Sequence, residues 1–239
     1  MKVINYLLGY KDLKIVQDNE MFNFSLDSVL LPNFVTINKK IDRILDIGCG
    51  NAPIPLILST KTNALITGVE IQKAVYDLAI ESVSINKKED QINIINKDIN
   101  DYYNEVETDF YDVITCNPPF FKYIETSNIN KNDYKTIARH EVKLNLNQLF
   151  TIAKKLLKNN GVIAIVHRPE RFVEVVEEMK KNNIEPKRVQ FVYPKKNMEA
   201  NIMLIEGSKN GKPGLKILPP IYSHQDNGEY TDDVKKYFE

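Results

Sequence analysis

The stretch LDIGCGNAP, residues 45–53, decides the fold of this 239-residue chain. It continues an apolar run, RILDIG (43–48), which predicts a short buried strand that ends in glycine. The residues that follow, 52–61, predict a helix, because Pro53 suits the first helical turn, where its missing N–H leaves no hydrogen bond unmade. A strand, a glycine turn and a helix in this order indicate one unit of an α/β protein.

The same alternation continues along the chain. Further strands are predicted at 64–70, 92–98, 111–117, 161–168, 187–194 and 200–209, and further helices at 73–87, 147–161 and 169–183. The helix at 147–161 is expected to end at Asn160–Gly161, a helix C-cap signal. Alternating strands and helices imply right-handed crossovers and a mostly parallel, doubly wound sheet, here of seven strands. The last two strands are expected to form a terminal antiparallel pair.

Composition limits the function without fixing it. Hydrophobic residues make up 43% of the chain and the net charge is +0, so the whole chain is not a general binder of polyanions, although a local basic face stays open. The two cysteines, Cys49 and Cys116, lack zinc spacing and are expected to be buried thiols in a reducing cytosol. No long apolar run opens the chain. We therefore expect a cytoplasmic, monomeric protein with no metal and no membrane segment.

Polar residues collect where the predicted strands end. Gly48 and Gly50 allow a tight turn and a close approach of the backbone to a ligand. Glu70 ends the second strand, about 20 residues after the turn, where an acid can accept from ribose hydroxyls. Asp98 ends the third strand, where a carboxylate can accept from an adenine amino group. Since ligands bind outside the carboxyl ends of such strands, the pattern predicts a site for an adenosine-containing ligand.

The charge of the ligand can be inferred from two positions. The dinucleotide fingerprint needs a third glycine, and Pro53 stands in its place. Asp46 lies inside the first strand, where it could anchor the turn or accept from an ammonium group, whereas it would repel a pyrophosphate. These positions favour S-adenosylmethionine over NAD.

The segment ITCNPPFFK, residues 114–122, ends the fourth strand with a second set of functional groups. Proline cannot donate to a sheet, so the strand stops before Pro118 and Pro119, which also hold the backbone rigid. The Asn117 amide oxygen and the Pro118 carbonyl form a pair of acceptors for the N–H groups of a planar amine, which favours the pyramidal form that methyl transfer requires. Phe120 offers a ring on which a base can stack.

These motifs resemble a known family. DIGCGN with NPPF resembles the class I S-adenosylmethionine-dependent methyltransferases that act on exocyclic or amide nitrogens. Nearly the whole chain resembles the bacterial tRNA(Val) adenine-N6 methyltransferases, which modify adenosine 37 beside the anticodon. The likeness includes FNFSLDSVLL (22–31), ARHE (138–141), HRPER (167–171) and the tail GLKILPPIYSHQDNGEYT (214–231). This chain departs from the family at two positions: the family usually carries glycine where Ala52 stands, and tyrosine where Phe120 stands. The alanine predicts either a tighter cofactor turn or a negative φ at position 52.

The resemblance implies a Rossmann-like class I methyltransferase fold in one domain, 1–239, with residues 1–40 as an N-terminal extension over the cofactor. It implies that Asp27 lies in the segment over the methionine end. It also implies cofactor contacts at Asp46, Gly48, Gly50, Glu70, Asp98 and Asn117, and an adenine held by Asn117, Pro118, Pro119 and Phe120.

A tRNA substrate requires contacts to phosphates, and the candidates follow predicted strand ends. They are Lys122, Arg139, His140, Arg168, Arg171, Lys195 and Lys196. Because NPPF also occurs in ribosomal RNA guanine-N2 methyltransferases, guanine stays open as the target. DNA adenine methylation would need a recognition domain and glutamine methylation an extra helical domain, for which we expect no room. A non-catalytic RNA-binding protein on this scaffold would be expected to lack the acceptor amide or the acidic strand ends, and both are intact.

Overall fold

A computed structural model describes residues 1–7, 10–18, 25–118 and 144–236 of the chain. Its strands are β1 (Lys2–Leu7), β2 (Tyr10–Asp18), β3 (Arg43–Ile47), β4 (Leu65–Glu70), β5 (Ile92–Asn96), β6 (Tyr111–Cys116), β7 (Leu157–His167), β8 (Ile184–Tyr193), β9 (Ile202–Lys209), β10 (Lys216–Ile217) and β11 (Ile221–Tyr222). Its helices are α1 (Leu26–Phe34), α2 (Pro53–Leu58), α3 (Lys73–Ile85), α4 (Ile99–Glu105), α5 (Leu146–Leu156), α6 (Phe172–Lys181) and α7 (Asp232–Lys235), and one turn of 3₁₀ helix spans Pro169–Arg171.

The main sheet has the order β10-β8-β9-β7-β6-β3-β4-β5, and β11 also pairs with β8. Strands β3 to β7 are parallel, and β9 runs antiparallel to both β7 and β8. The predicted α/β fold, with seven principal strands and an antiparallel pair, is confirmed. The two short tail strands are additional, and they pair with the outer side of β8.

Both faces of the sheet are buried, as a parallel sheet with helices on each side requires. Successive residues of β3 face opposite sides of the sheet, so Ile44 joins one apolar cluster and Leu45 and Ile47 join the other. Helices α1, α2 and α3 cover the first face, while α5 and α6 cover the second. The sequence of β3 is therefore apolar at successive positions because helices cover both faces of the strand.

The predicted C-cap at Asn160–Gly161 is wrong. The helix ends at Leu156, and the Asn-Gly pair lies inside β7, where its pairing with β6 becomes irregular. Asn160 has a φ of +63°, and a β-carbon at Gly161 would come within 2.9 Å of the Lys158 carbonyl oxygen and 3.0 Å of the Asp112 carbonyl oxygen. The pair therefore lets β7 bulge close to its neighbours instead of ending a helix.

An N-terminal hairpin, which the sequence pattern did not predict, packs on α3. Strands β1 and β2 pair antiparallel, and the Val16 amide donates to the Ser82 hydroxyl at 3.0 Å. The Asn51 side-chain amide, which follows the glycine turn, donates to the Val16 carbonyl at 2.8 Å. The hairpin is thus joined directly to the turn after β3. That residues 1–40 cover the cofactor stays a prediction.

A partly buried ion pair between Arg188 and Glu206 holds the end of α1 against the sheet. Glu206 on β9 is 3% exposed and accepts from the Thr36 amide at 2.6 Å, the Thr36 hydroxyl at 2.8 Å and the Arg188 Nε at 3.1 Å. Arg188 also donates to the Phe34 carbonyl, and its guanidinium carbon lies 4.7 Å from the centre of the Phe34 ring. We name these four residues the α1 clamp.

Candidate active site

The turn after β3 is held tightly to the end of β4. The Gly48 and Cys49 amides both donate to the Val69 carbonyl, at 2.9 and 3.1 Å. Gly48 and Gly50 have φ values of +67° and +57°, in the region that side chains rarely adopt. The Gly50 amide donates to Glu70 Oε2 at 3.0 Å. The two glycines predicted to make a tight turn do so, and Glu70 stands beside them as expected.

Glu70 is buried but well supplied with donors. Its side chain is 5% exposed, and its second oxygen, Oε1, accepts from the Gln72 amide at 2.8 Å. Burial raises the pKa of this carboxyl, and the backbone donors at Gln72 and Gly50 oppose the shift. Each carboxylate oxygen can accept more than one hydrogen bond, so Glu70 retains acceptors for ribose hydroxyls.

Asp46 is fully buried and only half satisfied. Its Oδ1 accepts from the Thr115 hydroxyl at 2.7 Å, while Oδ2 has no hydrogen-bond partner among the described residues. Burial raises the pKa of Asp46 to about 7; the Thr115 hydrogen bond opposes this shift and the charge of Glu70 adds to it. Thr115 was not a predicted site residue. Its signal in the sequence is its place on the strand that leads to Asn117, but its position opposite Asp46 depends on the β3–β6 register.

The end of β6 lies where the sequence predicts it. The strand stops at Cys116, which pairs with Ile47 of β3, so the following residues emerge beside the glycine turn. Asn117 is half-buried and Pro118 is buried. The other predicted residues of this region lie outside the described residues, and their roles stay predictions: Pro119, Phe120, Lys122, Arg139 and His140.

The predicted placement of Asp98 at a strand end is wrong by two residues. Strand β5 ends at Asn96, and Asp98 instead caps α4 by accepting from the Asn100 amide at 2.9 Å. Its Oδ1 also accepts from the Asn100 side-chain amide at 2.8 Å. Asn96 takes the strand-end position and donates to the Glu70 carbonyl at 2.9 Å. Asp98 still lies at the carboxyl edge of the sheet, and its contact with adenine stays a prediction.

Asp27 connects the N-terminal segment to the end of β7. It lies in the first turn of α1, is 9% exposed and accepts from the Ser25 hydroxyl at 3.1 Å. Burial raises the pKa of Asp27, and the positive charge of Arg168 opposes that rise. Arg168, predicted as a phosphate contact, therefore acts electrostatically on a predicted cofactor residue.

The other described basic candidates differ in how available they are. Arg171 has a side chain that is 12% exposed and makes two hydrogen bonds to Glu174, at 3.0 and 2.7 Å. Lys195 donates to the Asp226 carbonyl at 3.1 Å, whereas Lys196 is exposed. Since β8 runs parallel to β7, both lysines lie at the carboxyl edge, as expected. Of the two lysines, Lys196 is the more available for a phosphate because it is exposed. Arg171 is already paired with Glu174.

Ala52 settles one alternative from the sequence. Its φ is +72°, so the expectation of a negative φ at this position is wrong. The residue is fully buried and precedes the first turn of α2. An alanine in the left-handed region carries strain that glycine would not, because its β-carbon crowds the following carbonyl oxygen.

Neither cysteine shows the features of a reactive thiol. Cys49 and Cys116 are both free and buried, and burial raises the pKa of each thiol. Within the described ranges, no group of three His, Cys, Asp or Glu side chains could hold a metal ion. No helix in those ranges is long and apolar enough to cross a membrane.

The chain is similar to methyltransferases in sequence and in fold. The family model described as methyltransferase small domain matches residues 23–189. A protein from Flavobacterium psychrophilum named tRNA1(Val) (adenine(37)-N6)-methyltransferase is 28% identical over 221 residues, which cover 85% of this chain and 93% of that protein. A protein of the same name from Dyadobacter fermentans is 32% identical over 169 residues, covering 69% and 68%.

Solved structures agree on the fold. A predicted O-methyltransferase from Agrobacterium tumefaciens has a TM-score of 0.69 at 16% identity and covers 89% of this chain and 96% of that one. Geranyl diphosphate C-methyltransferase from Streptomyces coelicolor, in complex with S-adenosyl-L-homocysteine, has a TM-score of 0.59 at 12% identity over 76% of each chain. These likenesses show a Rossmann-like methyltransferase fold. Because the family model spans most of its length, the chain belongs to the methyltransferase small domain family and, within it, to the tRNA1(Val) (adenine(37)-N6)-methyltransferases.

Proposed function

We propose that this methyltransferase uses S-adenosylmethionine to methylate N6 of adenosine 37 in the anticodon loop of tRNA(Val). The relatives named for this reaction support the substrate. One structural observation supports the chemistry: β6 ends at Cys116 beside Ile47, so Asn117 follows next to a glycine turn that is backed by two buried carboxylates.

The turn and the carboxylates fit the cofactor. A β-carbon added at Gly48 or Gly50 would meet no atom within 4 Å, so the space beside the turn is open to a ligand. Glu70 retains acceptors suited to ribose hydroxyls, and the Oδ2 of Asp46, to which none of the described residues donates, suits an ammonium group. When bound, the cofactor supplies the methyl group that is transferred.

The end of β6 acts on the target amine. An exocyclic amine is a poor nucleophile because its lone pair is delocalised into the ring. The Asn117 oxygen and the Pro118 carbonyl accept from its two N–H groups, which stabilises the pyramidal, partly positive nitrogen of the transition state. Because the amide is neutral and the proton can leave after transfer, no general base is required. Phe120 supports the base by stacking.

The adenosine must leave its stack to reach this edge. Proteins read RNA mainly in single-stranded loops, and an anticodon loop is of this kind. We assign the phosphate contacts to the predicted basic residues, with the exposed Lys196 preferred over the paired Arg171. We further propose that residues 1–239 act as one domain, as a monomer in the cytoplasm, where tRNA is modified. Pairing of the tail strands with β8 supports the single domain.

An in vitro methylation assay tests the substrate. We expect the purified protein and labelled S-adenosylmethionine to modify unmodified tRNA(Val), and nuclease digestion to yield N6-methyladenosine. Mass spectrometry of tRNA from cells with and without this gene should then place the modification at position 37. Label found only in methylguanosine, in ribosomal RNA or in protein would contradict the proposal.

Asn117→Ala tests the mechanism. We expect kcat to fall by about 10²–10³, the usual loss for a transition-state acceptor, while the cofactor dissociation constant changes little. Asn63→Ala is a matched control, because Asn63 is an exposed amide at the opposite edge of the sheet, just before β4. Full activity of Asn117→Ala would rule out the acceptor pair.

A further inference from the structure

Two carboxylates lie buried beside the glycine turn, and no described residue places a cation next to them. Asp46 is 0% exposed and Glu70 is 5% exposed. Besides Glu70, the Thr115 hydroxyl from β6 contacts Asp46, and the Cys49 thiol of the turn and the Cys116 thiol of β6 lie close enough for its charge to act on them. Within the described part of the chain, neither carboxylate forms an ion pair with a lysine, arginine or histidine.

The two carboxylates differ in how their charge is supported. Glu70 accepts from two backbone amides, one on each oxygen. Asp46 accepts from one hydroxyl only, and its Oδ2 is buried without a partner in the described residues. An ionised carboxylate buried without a counter-charge is strongly destabilised, and a second negative charge nearby adds to the effect. A proton shared by this pair would therefore reside on Asp46.

We infer that Asp46 carries a proton in the cofactor-free enzyme and releases it to solvent when the cofactor's ammonium group binds beside it. In this step the carboxyl O–H bond breaks, the electron pair stays on Asp46, and the ammonium group keeps its protons. The inference rests on the proposed function, in which the amino acid end of the cofactor lies against Asp46. The neutral side chain keeps the empty site stable, and the ionised one holds the ligand.

Isothermal titration calorimetry in buffers of different ionisation enthalpy measures the proton directly. The ligand is S-adenosylhomocysteine, which carries the ammonium group but transfers no methyl group. At about pH 6.5 we expect release of roughly half to one proton per ligand, since Asp46 titrates at about 7 and the ligand's α-amino group is already charged at this pH. Well above the pKa of that amino group the sign should reverse, because the ligand's amine must then gain a proton to bind as ammonium.

Two controls identify the group. 5′-Methylthioadenosine lacks the amino acid end and should bind without releasing a proton. Asp46→Asn should abolish the release at about pH 6.5. Thr115→Val removes the hydrogen bond that lowers the pKa of Asp46, so the pH at which release changes to uptake should move upward.

The outcomes separate this inference from the proposed function. If S-adenosylhomocysteine binds the unaltered protein at about pH 6.5 with no release of protons, the inference is overturned while the cofactor site stands. If Asp46→Asn is folded and binds S-adenosylhomocysteine as tightly as the unaltered protein at about pH 8, Asp46 does not contact the ammonium group and its proposed role in the site is wrong. If Asp46→Asn does not fold, an unchanged crossover pH in Thr115→Val overturns the inference.

Discussion

Asp46 and His167 are buried side chains whose pKa shifts affect stability in opposite directions. The pKa of Asp46 is raised from 3.8 to about 7, chiefly by burial, so the folded state holds an extra proton between these values. The free energy of unfolding that Asp46 contributes therefore falls as the pH rises from about 3.8 to about 7. The pKa of His167 is lowered from 6.5 to about 4, by burial and then by the charge of Arg171. Its contribution is lost as the pH falls below 6.5.

Comparison with Asp46→Asn isolates one of these effects. His167 is common to both proteins, so its contribution cancels in the difference between them. We expect the unfolding free energy of the unaltered protein, relative to the variant, to fall by about 2 kcal/mol between about pH 5.5 and pH 8. Urea unfolding without cofactor at the two pH values gives this difference. Parallel pH profiles of the two proteins would show that Asp46 is ionised throughout.

Ala52 provides a test of backbone strain at one residue. In Ala52→Gly, relief of about 1–2 kcal/mol of left-handed strain offsets a lost buried methyl and a more flexible unfolded chain, so stability should change by less than about 1 kcal/mol. Ala153 is equally buried but lies inside α5. Ala153→Gly should cost about 2 kcal/mol, from helix propensity and the lost methyl. Equal losses in denaturant unfolding would contradict strain at Ala52.

Single residues of the site differ in how far the sequence could predict them. Gly48, Gly50 and Glu70 follow from strand ends and turn chemistry, both of which are local. Thr115 could not be predicted as the partner of Asp46, because that contact requires β6 to lie beside β3 in a particular register. Such a register is set by packing across the sheet, between residues that lie 69 positions apart in the chain.

At the scale of elements, the α1 clamp fixes a helix that local forces alone would not place. Helix α1 contains Pro32 and has no side-chain hydrogen bond at its N-cap. Its position depends on burial and on Glu206 and Arg188, which come from two strands of the sheet. Asp27 lies at the other end of the same helix, so the clamp also determines where this predicted cofactor residue stands.

Glu206→Ala should therefore loosen α1. Removing Glu206 leaves the guanidinium of Arg188 without its carboxylate partner. Because Arg188 is 28% exposed, we expect a loss of about 2 kcal/mol in unfolding free energy, below the range for a fully buried pair. Hydrogen exchange should rise across residues 26–36 in particular. Asp77→Ala is the control, because it breaks an exposed pair with Lys73 that should contribute less than about 0.5 kcal/mol. A similar small loss for both variants would show that the clamp contributes little.

Most elements could be predicted because each carries its own pattern, and the exceptions have physical causes. Strands β3 to β7 are rich in isoleucine, leucine and valine and are followed by turn residues, which makes them visible in sequence. The hairpin of β1 and β2 could not be recognised in this way, because one of its faces is largely exposed: Ile4 is 62% exposed and Tyr6 is 63% exposed. The Asn-Gly pair at 160–161 suits both a helix end and a strand bulge, and only tertiary contacts distinguish them.

At the scale of the whole molecule, the tail completes the sheet. Strand β8 pairs with β9 on one side, and β10 and β11 cover parts of its other side. Ile221 in β11 and Val234 in α7 are 4% and 0% exposed, which fastens the tail to the core. An uncovered β8 would present unpaired backbone groups, a common route to association between sheet edges.

Deletion of residues 215–239 tests this role. We expect the shortened protein to lose stability and to self-associate, as measured by light scattering during size-exclusion chromatography. Deletion of residues 232–239 is the control, because it removes α7 but leaves both tail strands in place. If the first deletion behaves like the full chain in scattering, the tail does not protect the edge of β8.

The hydrogen bonds of the N-terminal hairpin also have a consequence for synthesis on the ribosome. The Lys14 amide donates to Asn86, which follows α3, the Val16 amide donates to Ser82 within α3, and the Val16 carbonyl accepts from Asn51. Residues 1–18 therefore lack the surface on which they pack until α3 has been translated, roughly seventy residues later. During that interval their apolar side chains are open to chaperones, and this nascent segment is where we would expect a chaperone to bind first.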